Sequence, residues 1–141
     1  MILSETWLDK KNDCSSITLS DYEVSLCGGG RGQGMASFYR KQFKIKEYRE
    51  GEQMNLMKVT HNLLDIIGLY SSPNGNPNQL IENLVRLIDK TRPTLVIGDF
   101  NICLLKNKDN PVNNFLKSLK FIQLVQRATH IEVIIKFNVY N

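Results

Sequence analysis

Short apolar runs, most of them alternating with polar residues, recur along this chain of 141 residues and are typical of β-strands. A glycine-rich segment, residues 28–34, separates two of these runs and predicts the flexible turn of a hairpin. The predicted strands cover Ile2–Leu3, Tyr22–Leu26 and residues 35–46, 53–61, 63–72, 95–97, 121–126 and 132–140.

Two other segments have the apolar spacing of helices. Asn76, Pro77 and Gln79 form a typical helix start, and apolar residues then recur at helical intervals to about Lys90. A second helix is predicted from Pro111 to about Leu119, with Asn110 as its N-cap. The order of strands, helix, strand, helix and strands predicts a layered α/β fold.

Composition is that of one globular domain, which we expect to span residues 1–141. The formal charge of +4 is compatible with a polyanionic partner and equally with an ordinary solvated surface. Cys14, Cys27 and Cys103 lack CxxC spacing, which argues against a disulfide framework or a zinc site. No apolar stretch approaches the ~20 residues of a membrane span, and the first residues do not resemble a signal peptide. An intracellular location, the nucleus included, and no membrane partner are therefore expected.

Polar side chains follow the predicted strand ends. Asp99 and Asn101 come directly after the apolar run of residues 95–97, and their spacing would place both on one side of extended backbone. An Asx turn is the alternative interpretation of this pair. Glu5 and Tyr70 end two further strands. Such oxygen donors at strand ends suit Mg²⁺ and include no soft ligand that would select zinc.

The segments "SETWL", "GGGRGQGMASFYRK", "GLYSSPNGN" and "LVIGDFN" occur in the order typical of a known family. They resemble the endonuclease/exonuclease/phosphatase superfamily, and within it the apurinic-type endonuclease domain attached to non-LTR retrotransposon reverse transcriptases. The resemblance implies a DNase I-like two-sheet α/β sandwich that hydrolyses phosphodiester bonds with Mg²⁺, or Mn²⁺ in its place, without a small-molecule cofactor. DNA would be its partner. Glu5 would bind the metal, Asp99 would orient or deprotonate the attacking water, Asn101 would fix that water or the phosphate, and Tyr70 would hydrogen-bond the phosphate.

The sequence departs from the family pattern at both ends. The chain begins at the glutamate strand, without the preceding strand that carries an asparagine in the family, so the domain is expected to be partial. Near the C-terminus, "RATHIEVIIKFNVYN" contains no Asp and no His after His130, where the family has an Asp-His pair. Two hypotheses follow: a DNA endonuclease impaired by these losses, and a retrotransposon-derived remnant that keeps the scaffold without activity. The oligomeric state is left open.

Overall fold

The computed structural model describes residues 1–4, 6, 18–28, 34–51, 53–102, 109–125 and 133–138, with 44–51 and 133–138 described by their backbone alone. The described strands and helices, in chain order, are β1 Ile2–Ser4, β2 Glu23–Cys27, β3 Met35–Tyr39, β4 Lys44–Gly51, β5 Met54–Thr60, β6 Asp65–Ser71, α1 Pro77–Leu87, β7 Thr94–Asp99, α2 Pro111–Ser118, β8 Ile122–Gln123 and β9 Val133–Asn138.

Within the described residues the strands form a small and a large sheet. The small sheet has the order β1-β3-β2 and is antiparallel throughout. The large sheet has the order β4-β5-β6-β7-β9-β8, and its β6–β7 pair is parallel while its other pairs are antiparallel. The crossover between the parallel strands β6 and β7 is made through α1. The layered α/β fold predicted from the sequence is confirmed.

Each face of the large sheet has its own apolar core. On one face, residues such as Leu56, Leu69 and Val96 pack with the apolar sides of α1 and α2. On the other face, Met57 and Val59 pack with Cys27, Met35 and Tyr70 between the two sheets. Both alternating faces of β5 therefore enter a core, which is why every residue from Met54 to Val59 is buried. Cys27 is buried with a free thiol, and Cys14 and Cys103 lie outside the described residues.

Several predicted boundaries are wrong, for local reasons. The single strand predicted over 35–46 is interrupted, because a turn in which Phe43 N–H donates to Arg40 C=O (2.9 Å) carries the chain from the small sheet to the large one. Helix α1 ends at Leu87 rather than near Lys90. The Asp89 carboxylate accepts hydrogen bonds from Thr91 N–H (2.9 Å) and Thr91 Oγ1 (2.6 Å), and this turn competes with helical hydrogen bonding.

The ends of the later elements also differ from the predictions. The strand predicted over 121–126 is limited to Ile122–Gln123, and the Gln123 amide donates to Val125 C=O (2.9 Å). The predicted N-caps are confirmed, since Asn76 accepts from Asn78 N–H (2.9 Å) and Asn110 accepts from Val112 N–H (2.9 Å).

A buried ion cluster fastens the end of the large sheet where β5 turns into β6. Asp65, 1% exposed, lies 2.7 Å from Lys58 Nζ and 3.1 Å from Arg92 Nε. Lys58 Nζ also donates to Leu87 C=O (2.8 Å), which joins the last turn of α1 to the sheet. Burial by itself would raise the pKa of Asp65, but the hydrogen bonds and charge of Lys58, with help from Thr60 and Arg92, hold that pKa below its ordinary value of 3.8.

Candidate functional site

Three polar residues lie side by side at the opposite end of the large sheet. Asn55 on β5 pairs with Tyr70 on β6, and Tyr70 pairs with Asp99 on β7. Residues at paired positions of neighbouring strands point to the same face of the sheet. Tyr70 belongs to the core between the two sheets, so these three residues, here called the polar row, face the small sheet. The predicted residues Tyr70 and Asp99 are thus brought together.

The chain turns sharply after Asp99, and the prediction of continued extended backbone there is wrong. Asn101 has a φ of +46°, and its N–H donates to Asp99 Oδ1 (2.9 Å), which is an Asx turn. Asn tolerates this left-handed conformation better than most residues. Between them Phe100 is completely buried against the helices, so the chain must turn inward at this point. Asp99 and Asn101 are close because of this turn and not because of their spacing along a strand.

The turn fixes the Asn101 side chain as well. Asn101 Nδ2 donates to the carbonyl oxygen of Ser71 (2.7 Å), and Ser71 is the residue after Tyr70. The carboxamide oxygen of Asn101 is consequently held in one orientation at the end of β6 and β7. This bond joins the strand that carries Tyr70 to the turn that carries Asp99 and Asn101.

Gly98 permits the close pairing of these two strands. Its φ is +154°, and a Cβ at this position would lie 1.8 Å from the carbonyl oxygen of Leu69. No side chain is compatible with that distance, so the glycine before Asp99 is required by the approach of β7 to β6. In the "GDFN" segment, the close approach of the two strands therefore explains the glycine, as the Asx turn explains the Asp and Asn.

Tyr70 is a core residue as well as a member of the polar row. Its side chain is 3% exposed and packs with Cys27 and Met57. In its packing Tyr70 is thus an ordinary aromatic residue of the core. This burial restricts the ring, and a restricted hydroxyl is what a hydrogen bond to a substrate oxygen requires.

Asn55 was not identified from the sequence. It is 1% exposed, and within the described part of the chain neither its Nδ2 nor its Oδ1 atom makes a hydrogen bond. A Cβ on Gly28 would lie 2.4 Å from these same amide atoms, so the Gly28 backbone lies directly over them. The signal in the sequence was an asparagine, which is unfavourable in strands, at a position alternating with the inward-facing Met57 and Val59.

Glu5, the predicted metal ligand, lies outside the described residues. The residues on either side of it are held to the start of β3: Ser4 pairs with Met35, and Thr6 N–H donates to Gly34 C=O (3.2 Å). Met35 also pairs with Cys27, next to Gly28. The end of β1 is therefore at the same end of the two sheets as Asn55.

The donors at this end are carboxylate, carboxamide and hydroxyl oxygens, which fit Mg²⁺ better than a softer metal. Across the described ranges, no three or more His, Cys, Asp and Glu side chains are grouped as a metal site. His61 is remote from the polar row. It follows the far end of β5, about 20 Å along the strand from Asn55 at ~3.4 Å per residue, and stacks on Phe43 with ring centroids 4.7 Å apart.

Several solved structures have a similar arrangement of strands, and three of them are described here. The human Nocturnin catalytic domain with bound sulfate matches with a TM-score of 0.65 and 15% identity, over 96% of this chain and 67% of that chain. The endonuclease domain of TRAS1, a telomere-specific non-LTR retrotransposon, matches with a TM-score of 0.55 and 13% identity, over 84% of this chain and 65% of that one. D. rerio TDP2 complexed with single-strand DNA product matches with a TM-score of 0.51 and 10% identity, over 96% and 69%.

The chain thus spans about two thirds of each of these three structures. No protein-family model and no curated protein matches the sequence. Among the described helices, none is long and apolar enough to cross a membrane. At these identities the comparisons establish the fold, and the fold is the one that the sequence motifs predicted. The chain has a DNase I-like two-sheet α/β architecture.

Proposed function

We propose that this chain is the phosphodiester-cleaving domain of a Mg²⁺-dependent DNA endonuclease of the retroelement type. The observation that supports the proposal most directly is the pairing of Tyr70 with Asp99 on adjacent parallel strands, beside an Asn101 side chain fixed by Ser71. A hydroxyl, a carboxylate and a carboxamide are thereby gathered at one end of the sheet. Two of the similar structures, the TRAS1 endonuclease domain and TDP2 with its DNA product, are of proteins that act on DNA.

Each side chain has a role that its chemistry allows. The Asp99 carboxylate would orient the attacking water in line with the scissile bond and accept its proton. Tyr70 would donate its hydroxyl hydrogen to a phosphate oxygen, and Asn101 would hold the water or the phosphate through its fixed carboxamide. Glu5, whose carboxylate is a hard oxygen ligand, would hold Mg²⁺. A bound Mg²⁺ would neutralise the negative charge that grows on the phosphate in the transition state.

A second candidate is a scaffold that retains the fold without turnover. It is favoured by the small number of histidines: the chain has 2, of which His61 lies at the far end of β5 and His130 lies outside the described residues. The loss of one electrostatic contact to the transition state typically lowers the rate by ~10²–10³-fold. The proposed endonuclease is therefore expected to be slow.

The experiment that tests the proposal is a nicking assay on supercoiled plasmid with purified protein and Mg²⁺, with EDTA in the control. We expect EDTA-sensitive nicking that is abolished in Asp99→Ala, because the turn would lose the carboxylate that orients water. Circular dichroism should show that the variant remains folded, since Asp99 is only partly buried. Equal nicking by Asp99→Ala would exclude the role given to Asp99, and no nicking by folded wild-type protein would support the inactive scaffold.

A further inference from the structure

Asn55 is a buried polar group whose hydrogen-bonding capacity is unused. Its side chain is 1% exposed, and its Nδ2 and Oδ1 atoms make no hydrogen bond within the described residues. Buried amides are nearly always hydrogen-bonded, because removal from water is costly when no partner replaces it. Retaining such a group in a core position lowers stability, and proteins tolerate such costs mainly at sites of function.

The position of Asn55 connects it with the proposed site. It pairs directly with Tyr70 in the antiparallel ladder, an arrangement that puts the two Cβ atoms about 4.5–5.5 Å apart. Gly28 lies against the other side of the amide, where a Cβ would come within 2.4 Å. The amide is therefore held between the Gly28 backbone and the position of the Tyr70 ring. Asp99 flanks Tyr70 on the opposite strand.

Neighbouring positions on the same face of β5 show what a purely structural residue would be. Met57 and Val59 also point between the sheets, and both are apolar members of that core. A leucine or methionine at position 55 would continue the same apolar face. The carboxamide differs from them in being neutral and able both to donate and to accept, so it can serve a nearby ligand without competing with a carboxylate for a cation.

We propose that Asn55 is a positioning residue of the site, which sets the orientation of Tyr70 toward a phosphate oxygen. Its amide completes its hydrogen bonds, directly or through an ordered water, when a phosphate group is bound beside Tyr70. This inference rests on the proposed function, because it takes a phosphate as the ligand of Tyr70. It adds a residue that none of the sequence motifs includes.

The test uses Asn55→Leu, which closely conserves the shape of the side chain. Without ligand, its melting temperature should exceed that of the wild type by a few degrees, because an unpaired amide is replaced by an apolar group. Inorganic phosphate with Mg²⁺ should raise the melting temperature of the wild type, and Asn55→Leu should lose most of that rise. Plasmid nicking, where the wild type shows it, should fall at least ~10-fold, the order of effect of a residue that positions a catalytic group.

Asn113→Leu is the matched control. Asn113 on α2 is 2% exposed and, unlike Asn55, does make a polar interaction. Its substitution should lower the melting temperature and leave the phosphate-dependent rise unchanged. This comparison separates the general effect of replacing a buried asparagine from the effect specific to position 55.

Other results for Asn55→Leu would overturn the role given to Asn55. A lower melting temperature or loss of folding in Asn55→Leu would mean that the amide supports the core, and would overturn the proposal. A full phosphate-dependent rise in Asn55→Leu, or none in the wild type, would overturn it too. Wild-type protein that does not nick DNA, yet shows a phosphate-dependent rise that Asn55→Leu loses, would refute the proposed endonuclease and leave the role of Asn55 standing.

Discussion

Substitution of Asp65 tests whether the buried ion cluster fastens the far end of the sheet. Asp65→Asn preserves the shape of the side chain but leaves the ammonium of Lys58, whose side chain is 10% exposed, without its counter-ion at 2.7 Å. Removing one partner of a buried ion pair typically costs about 3–5 kcal/mol. Because an asparagine oxygen can still accept a hydrogen bond from Lys58, we expect a loss near the lower end, about 3 kcal/mol.

That loss is large against the ~5–15 kcal/mol by which domains are stable. Urea denaturation monitored by circular dichroism should show a midpoint lowered by roughly 1–3 M, for m-values of about 1–3 kcal/mol per M. Asp89→Asn is the control, since Asp89 is exposed and, among the described residues, its carboxylate accepts hydrogen bonds from Thr91 in its own turn. If Asp65→Asn lowers the free energy of unfolding by less than about 1 kcal/mol, the value of a surface ion pair, the cluster does not stabilise this end of the sheet as a buried ion pair would.

Acid titration of the same variant gives a second measurement. The pKa of Asp65 is lowered in the folded protein, so its contribution to stability is present above the pKa of the unfolded chain and is lost as the pH falls through the folded pKa. Asp65→Asn lacks this contribution at every pH. The difference in unfolding free energy between wild type and variant should therefore be largest near neutral pH and shrink below about pH 4.

Two further substitutions test the turn and the helix start. Gly98→Ala would place a Cβ 1.8 Å from the Leu69 carbonyl oxygen. We therefore expect at least ~4 kcal/mol of destabilisation, or no soluble folded protein. A thermal melt like that of the wild type would contradict the described pairing of β6 and β7. Asn110→Ala removes the acceptor of Val112 N–H at the start of α2 and should cost about 1 kcal/mol in chemical denaturation, a value that Asn114→Ala, at an exposed position of the same helix, should not reach.

The sequence predicted those parts of the fold that depend on local chemistry. Both helix starts follow from Asn-Pro pairs, in which the Asn side chain accepts a hydrogen bond from a backbone N–H of the first turn and the Pro has no N–H to satisfy. The alternation of apolar residues located the strands. It did not show which strands pair, because periodicity carries no information on strand order in a sheet. The break at residues 40–43, where the chain passes from one sheet to the other, depends on the packing of both sheets and has no strong turn residue to mark it.

The candidate site was predictable only where a side chain makes its hydrogen bond to a residue nearby in the sequence. The Asx turn at Asp99 and Asn101 was foreseen as an alternative, because both of its partners lie in one segment. The contact of Asn101 with Ser71 joins residues 30 positions apart and required the register of β6 and β7. Asn55 could have been suspected as an asparagine in an apolar strand, but its relation to Tyr70 also depends on register.

The two ends of the large sheet bury different polar groups, charged ones at one end and a neutral amide at the other. At the end where β5 turns into β6, Asp65 is matched by Lys58 and Arg92, and the helix carbonyl of Leu87 is matched as well. At the opposite end the Asn55 amide has no partner within the described chain. Both polar atoms of this amide are unpaired among the described residues, and the amide lies beside Tyr70 and Asp99, so a phosphate bound there would complete its hydrogen bonds.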